Sequence, residues 1–129
     1  MELLIEKIDL PNGLAVELYD CSRLIAGDRW FVRLLVQAQI RVTPEAFAHL
    51  PDADAIFHEF IETRGDVVLF DKKLERNFID QTEKDRVLSY LVQKFKEDAL
   101  AYIGHPGFVQ GVIKLHLKDF LDRRTWWKT

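Results

Sequence analysis

Charged side chains with binding chemistry are concentrated in residues 20–29, which join two strand-like segments. This stretch contains Arg23 and Arg29, with Asp28 beside the second arginine. Guanidinium groups hold carboxylates and phosphates through paired hydrogen bonds, and loops supported by rigid strands often carry binding residues. The alternative is that Ser22 and the aspartates form turns and ion pairs inside the loop, because no glycine-rich phosphate loop accompanies them.

A second polar cluster lies where a strand pattern changes into a helix pattern. Arg76 and Asn77 could bind an anion at the N-terminus of that helix, where free N–H groups and the helix dipole attract negative charge. Asp80 and Glu83 resemble a capping box, however, and would satisfy the same donors. The candidate ligand-binding residues are therefore Arg23, Asp28, Arg29, Arg76 and Asn77.

The remaining reactive side chains predict no catalytic residue, no metal ligand and no cofactor. Cys21 is the single cysteine, which excludes an internal disulfide and a zinc site of several thiolates. As a nucleophile it would need a base nearby, and the distances to the four histidines do not follow from the sequence; a lone cysteine is more often a small buried hydrophobe. His58 and Glu62 share one face of a predicted helix, but the zincin motif has a second histidine where Glu62 stands. Whether the protein is an enzyme stays open.

The clearest strand pattern lies at residues 29–42. Alternate residues from Trp30 onward are apolar, and most of the residues between them are arginine or glutamine. Strict alternation of this kind is typical of a half-buried antiparallel strand, because successive side chains point to opposite faces. Phe31 and Leu35 fall on the polar side, which suggests a surface that a second molecule covers.

The last residues of the chain combine basic and aromatic side chains. Such a tail can stack on bases or lie at a membrane surface, but tryptophan and arginine are also the commonest anchors of protein interfaces. We favour packing or self-association for this tail. The candidate interface residues are Phe31, Arg33, Leu35, Trp126 and Trp127.

The periodicity of the whole chain predicts an α+β fold in one domain, residues 1–129, with 123–129 as a C-terminal tail. The predicted order is β-β-β-α-β-α-α: strands at 2–10, 14–20 and 29–42, a helix at 52–63, a strand at 67–78, and helices at 80–104 and from 106 onward. A strand is the alternative at 52–63. We expect a four-stranded, mostly antiparallel sheet with the helices on one face.

Composition excludes some classes of partner and location but does not identify the function. The formal net charge of −3 makes nucleic acid an unlikely partner, and no apolar run approaches the roughly 18 residues of a spanning helix. The first residues do not resemble a signal peptide, so we expect a cytoplasmic protein. The sequence favours a non-enzymatic protein-interaction or self-association module, such as a homodimer. The alternative is a small anionic-ligand or enzymatic site on the 20–30 loop and the Arg76/Asn77 cluster.

Overall fold

Five strands and three helices give this chain an α+β fold with an antiparallel sheet. A computed structural model describes residues 2–128, and their side chains as far as residue 125. The strands are β1 (Leu3–Asp9), β2 (Ala15–Asp20), β3 (Arg23–Ala26), β4 (Arg29–Arg41) and β5 (Val67–Asp80). The helices are a 3₁₀ turn at Pro44–Phe47, α1 (Ala53–Arg64), α2 (Lys84–Ile103) and α3 (Phe108–Lys128). Within the described range, none of these helices has the length and apolar character that a membrane span requires.

The α+β prediction is confirmed, but the sheet has five strands rather than four. The additional strand is β3, which lies inside the segment predicted as a loop and pairs with the start of β4. Gly27, with φ of 55°, turns the chain between the two strands. All four residues of β3 are exposed, so the strand has no alternation between buried and exposed positions that a sequence pattern could reveal.

β4 is the central strand, because β2, β3 and β5 all pair with it. β2 and β3 keep one antiparallel register along β4: Asp20 pairs with Leu34, and Arg23 pairs with Phe31. The short break between β2 and β3 is also held to β4, because the backbone N–H of Cys21 donates to the carbonyl of Arg33 at 2.9 Å. β2 and β3 therefore pair with β4 as one nearly continuous strand.

Hydrogen bonds at the two ends of β5 show that it runs antiparallel to β4. The N–H of Gln81 donates to the carbonyl of Asp28, and the N–H of Val42 donates to the carbonyl of Asp66. β1 pairs with β2, and its register shifts between Leu4 and Glu6.

The chain forms two compact units. The first contains Met1–Ala38 and Asp71–His105, and its core combines the inward face of β4 with one stripe of α2. Val32, Leu34 and Val36 are fully buried, as the alternation in the sequence predicted. The α2 stripe repeats every fourth residue and consists of Leu91, Phe95, Ala99 and Ile103. The helix ends at Ile103, one residue before the predicted end, and Gly104 follows it.

The second unit contains Gln39–Phe70 and Pro106–Thr129. Its core is aromatic: the ring of Phe60 lies 5.5 Å from Phe47 and 5.3 Å from Phe120, and Phe47 and Phe60 are fully buried. Residues 53–64 are helical, so the helix prediction is confirmed over the strand alternative. α1 ends at Gly65, whose φ of 85° favours glycine.

Three local predictions differ from the structure near β5 and the C-terminus. Asp80 ends β5 and accepts hydrogen bonds from Thr82, and α2 begins only at Lys84 with no side-chain cap, so the capping box is not formed. The strand predicted to end at Phe78 continues to Asp80, and the Phe78 side chain is 69% exposed with a φ of 54°. α3 continues to Lys128, so most of the predicted tail is helical.

Candidate functional site

One face of the sheet in the first unit carries charged and amide side chains around a small apolar centre. Alternate residues of β4 and of β5 point to this face, as strand geometry requires. We call it the polar sheet face. Its residues are Cys21, Arg23, Phe31, Arg33, Leu35, Gln37, Asp71, Lys73, Glu75 and Asn77.

Phe31 lies at the centre of this face, between two guanidinium groups. The Cζ atom of Arg33 is 4.8 Å from the ring centroid, and that of Arg23 is 5.3 Å away. These distances allow cation–π attraction, about 0.5–1 kcal/mol for an exposed pair. Phe31 is 8% exposed, because the long arginine side chains cover its ring.

The two arginines differ in their acidic partners. Arg33 donates from Nε and from Nη2 to one oxygen of Glu75, at 3.3 and 2.9 Å. Arg23 forms no ion pair with any residue that the structure describes, and its recorded contact is the Phe31 ring. The guanidinium of Arg33 is therefore paired with a carboxylate within the face, and that of Arg23 has no such partner among the described residues.

Two shallow hollows meet at these arginines. The smaller has a volume of about 410 Å³ and is lined by Arg23, Phe31, Arg33, Glu75 and Asn77. The larger, of about 510 Å³, shares both arginines and adds Glu2, Cys21, Leu35, Gln37, Asp71 and Lys73. The polar sheet face is thus an open surface with both signs of charge.

The structure brings together two of the five predicted ligand-binding residues, Arg23 and Asn77. Arg29 instead approaches Asp80 at 3.4 Å and Asp28 at 3.8 Å, which is the internal pairing considered as an alternative for the loop. Arg76 donates to the carbonyl of its neighbour in β5 at 2.7 Å and does not line either hollow.

The candidate interface residues of β4 lie on the polar sheet face, as predicted. Phe31 and Leu35 are buried there, at 8% and 5% exposure, so a partner would first meet the charged side chains around them. The side chains of Trp126 and Trp127 lie outside the described residues.

The contribution of β5 was missed by the sequence analysis. Lys73 and Glu75 line the hollows beside the predicted residues of β4. The available signal was their spacing of two residues from Asp71 and Asn77 along the strand, because alternate strand residues share a face.

Cys21 is half-buried at the rim of the larger hollow. Burial is the main cause that raises the pKa of its thiol, and the carboxylate of Glu2 acts in the same direction, whereas Arg33 opposes them. A raised pKa leaves less thiolate, which is the reactive form. The structure therefore gives no sign of an activated nucleophile at Cys21.

Metal binding receives no support from the part of the chain that the structure describes. It contains no group of three or more histidine, cysteine, aspartate or glutamate residues placed to hold an ion. His58, from the motif considered above, donates from Nδ1 to the backbone carbonyl of Asp54 at 2.7 Å.

Comparisons with known proteins identify no relative. No family model matches this chain, and the searches of curated proteins and of solved structures gave no significant match.

Proposed function

We propose that this chain is a non-enzymatic protein-interaction module that binds an acidic segment of a partner on its polar sheet face. The observation that carries the proposal is the position of Arg23, which is exposed, stacked on Phe31 and without an ion pair among the described residues. Arginine and aromatic side chains dominate the binding energy of protein interfaces. A partner carboxylate beside Arg23 would complete the charge pairing that Glu75 supplies to Arg33.

The open shape of the face favours a partner protein over a reaction. Enzymes surround the substrate in a cleft, which excludes water and strengthens electrostatic interactions. The hollows here lie on an uncovered face, and the predicted charged residues of the 20–30 loop do not converge in either of them. We also propose that the chain associates with itself and that it is located in the cytoplasm.

Affinity capture with two matched charge reversals tests the proposal. Arg23→Glu reverses a charge on the polar sheet face, and Lys72→Glu reverses an exposed charge on β5 that alternation points away from that face. We expect the wild-type chain and Lys72→Glu to retain the same acidic protein from a cell extract, with at least about a tenfold loss for Arg23→Glu. Equal retention by all three chains would contradict the proposal.

A small anionic ligand is the second candidate for the same face. The smaller hollow supports it, because its volume of about 410 Å³ lies within the usual range for ligand sites and an amide and two guanidiniums line it. Thermal unfolding with citrate and with inorganic phosphate tests this candidate. Specific binding predicts stabilisation that saturates with concentration and disappears in Arg23→Glu. Stabilisation of both chains to the same extent would exclude it.

A further inference from the structure

We infer that a second copy of this chain docks on α3, so that the two α3 helices pack antiparallel. This inference rests on the self-association part of the proposed function, but it uses a surface in the second unit. The surface is a groove of about 530 Å³ between α3 and the segment that contains the 3₁₀ turn. Ala48, Leu117 and Leu121 supply its apolar side chains.

Three charges on α3 border this groove, and they occur at every fourth residue. Lys114, Lys118 and Asp122 lie on one side of the helix, because residues four apart are neighbours on a helix surface. None of the three forms an ion pair with a described residue. The two lysines repel each other, and such like-charge pairs destabilise a helix. An acidic group from another molecule would relieve that repulsion.

The order of these charges makes the face complementary to itself. In an antiparallel pair of α3 helices related by a two-fold axis near residue 120, Lys118 of one copy faces Asp122 of the other, and symmetry repeats the contact. Leu115 lies on the same side of the helix, three residues before Lys118, and is 69% exposed. A second copy would cover this leucine together with the groove.

The opposite wall of the groove carries Glu45 and His49. Apart from His49, the groove has two positive and two negative side chains, so it attracts neither a purely acidic nor a purely basic partner. A surface of balanced charge around an apolar centre instead fits a partner whose surface also has both signs of charge around apolar side chains. A second copy of this chain has such a surface.

A charge-swap experiment tests this arrangement. The dissociation constant of the full-length dimer would be measured by sedimentation for wild type, Lys118→Glu, Asp122→Lys and the double variant. Each single variant places like charges together, so we expect its dissociation constant to rise by about tenfold or more. The double variant restores opposite charges, so its dissociation constant returns toward the wild-type value.

Further variants separate this inference from a folding defect and from the sheet-face proposal. Leu115→Gln alters an exposed side chain and should weaken the dimer, with a thermal midpoint close to that of wild type when both chains are measured at a concentration at which they are monomeric. Arg23→Glu should leave the dimer intact, and Lys118→Glu should leave capture of the acidic partner intact. A monomeric wild-type chain at high concentration, or a double variant that fails to restore association, would overturn the inference. Neither result would contradict the proposal that an acidic partner binds the polar sheet face, because that face lies in the first unit.

Discussion

At the scale of single residues, the arginines near β4 differ in what each one contacts. Arg29 reaches Asp28 and Asp80, and Arg33 is held by Glu75. Arg23 lies on the aromatic ring of Phe31 and has no acidic partner among the described residues. An unpaired guanidinium on a firm apolar support is the kind of group that binds a carboxylate with little loss of side-chain freedom. Arg23 is therefore the residue whose substitution is most informative.

The thiol of Cys21 is predicted to react slowly. Burial and Glu2 raise its pKa, so the thiolate fraction at neutral pH falls below that of a cysteine in a short peptide. We expect alkylation by iodoacetamide to be slower than for such a peptide, and to accelerate at a higher pH. Faster alkylation than the peptide at neutral pH would show that the thiol is activated.

Asp80 is predicted to make stability depend on pH. The N–H and hydroxyl of Thr82 and the charge of Arg29 hold the pKa of Asp80 below its ordinary value. A depressed folded-state pKa contributes stability above the unfolded pKa of about 3.9, and this contribution is lost as the pH falls through the folded-state value. We expect Asp80→Asn to unfold at lower urea concentration than wild type at neutral pH, with a difference that shrinks as the pH falls through the folded-state pKa of Asp80.

A difference that stays constant with pH would contradict this account of Asp80. Thr82→Val provides the control, because it removes the hydroxyl that donates to the carboxylate at 2.8 Å. That variant should show a weaker pH dependence than wild type.

One of two adjacent predicted ligand-binding residues lines the hollow and the other does not, for a physical reason. Arg76 and Asn77 are adjacent in the chain, and both were taken as ligand-binding residues. β5 continues through both residues, so successive side chains point to opposite faces and only Asn77 joins the hollow. Where β5 ends could not be read from the sequence, because Asp80 and Glu83 imitate a helix start.

At the scale of elements, a strong burial pattern made β4 and α2 predictable. β3 was hidden because every one of its residues is exposed, and it is revealed only by its pairing with β4, which includes that of Arg23 with Phe31. Pairing between strands depends on tertiary contacts, which a single sequence does not display. The same limit applies to the polar sheet face, whose hollows require β3, β4 and β5 in register.

The turn between β1 and β2 is predicted to stabilise the end of α2. The side-chain amide of Asn12 donates to the carbonyl of Ile103 at 2.8 Å and to that of His105 at 3.2 Å. These bonds satisfy carbonyls that the end of a helix leaves without partners. We expect Asn12→Ala to lower the free energy of unfolding by about 1–2 kcal/mol in urea titrations.

Asn77→Ala is the matched control for Asn12→Ala. The Asn77 side chain lies in the hollow and makes no recorded hydrogen bond within the described residues. Its removal should change stability by less than about 0.5 kcal/mol, as is usual for surface positions. Equal losses for the two variants would show that the helix-end bonds of Asn12 contribute nothing specific.

At the scale of the whole molecule, the two proposed binding surfaces lie in different units. The first unit carries the polar sheet face, for which we propose an acidic partner, and the second carries the α3 groove, for which we propose another copy of the chain. Because the two surfaces share no residue, each can be disabled by substitution while the other is left intact.

The central claim is that a partner protein covers the polar sheet face, and site-specific photo-crosslinking tests it most directly. Lys72 and Lys73 are consecutive, exposed residues of β5 that point to opposite faces, so each is replaced in turn by p-benzoylphenylalanine. The account predicts a covalent adduct with an acidic protein from position 73, no such adduct from position 72, and loss of the adduct when Arg23→Glu is added. Equal adducts from both positions, or an adduct that survives Arg23→Glu, would contradict it.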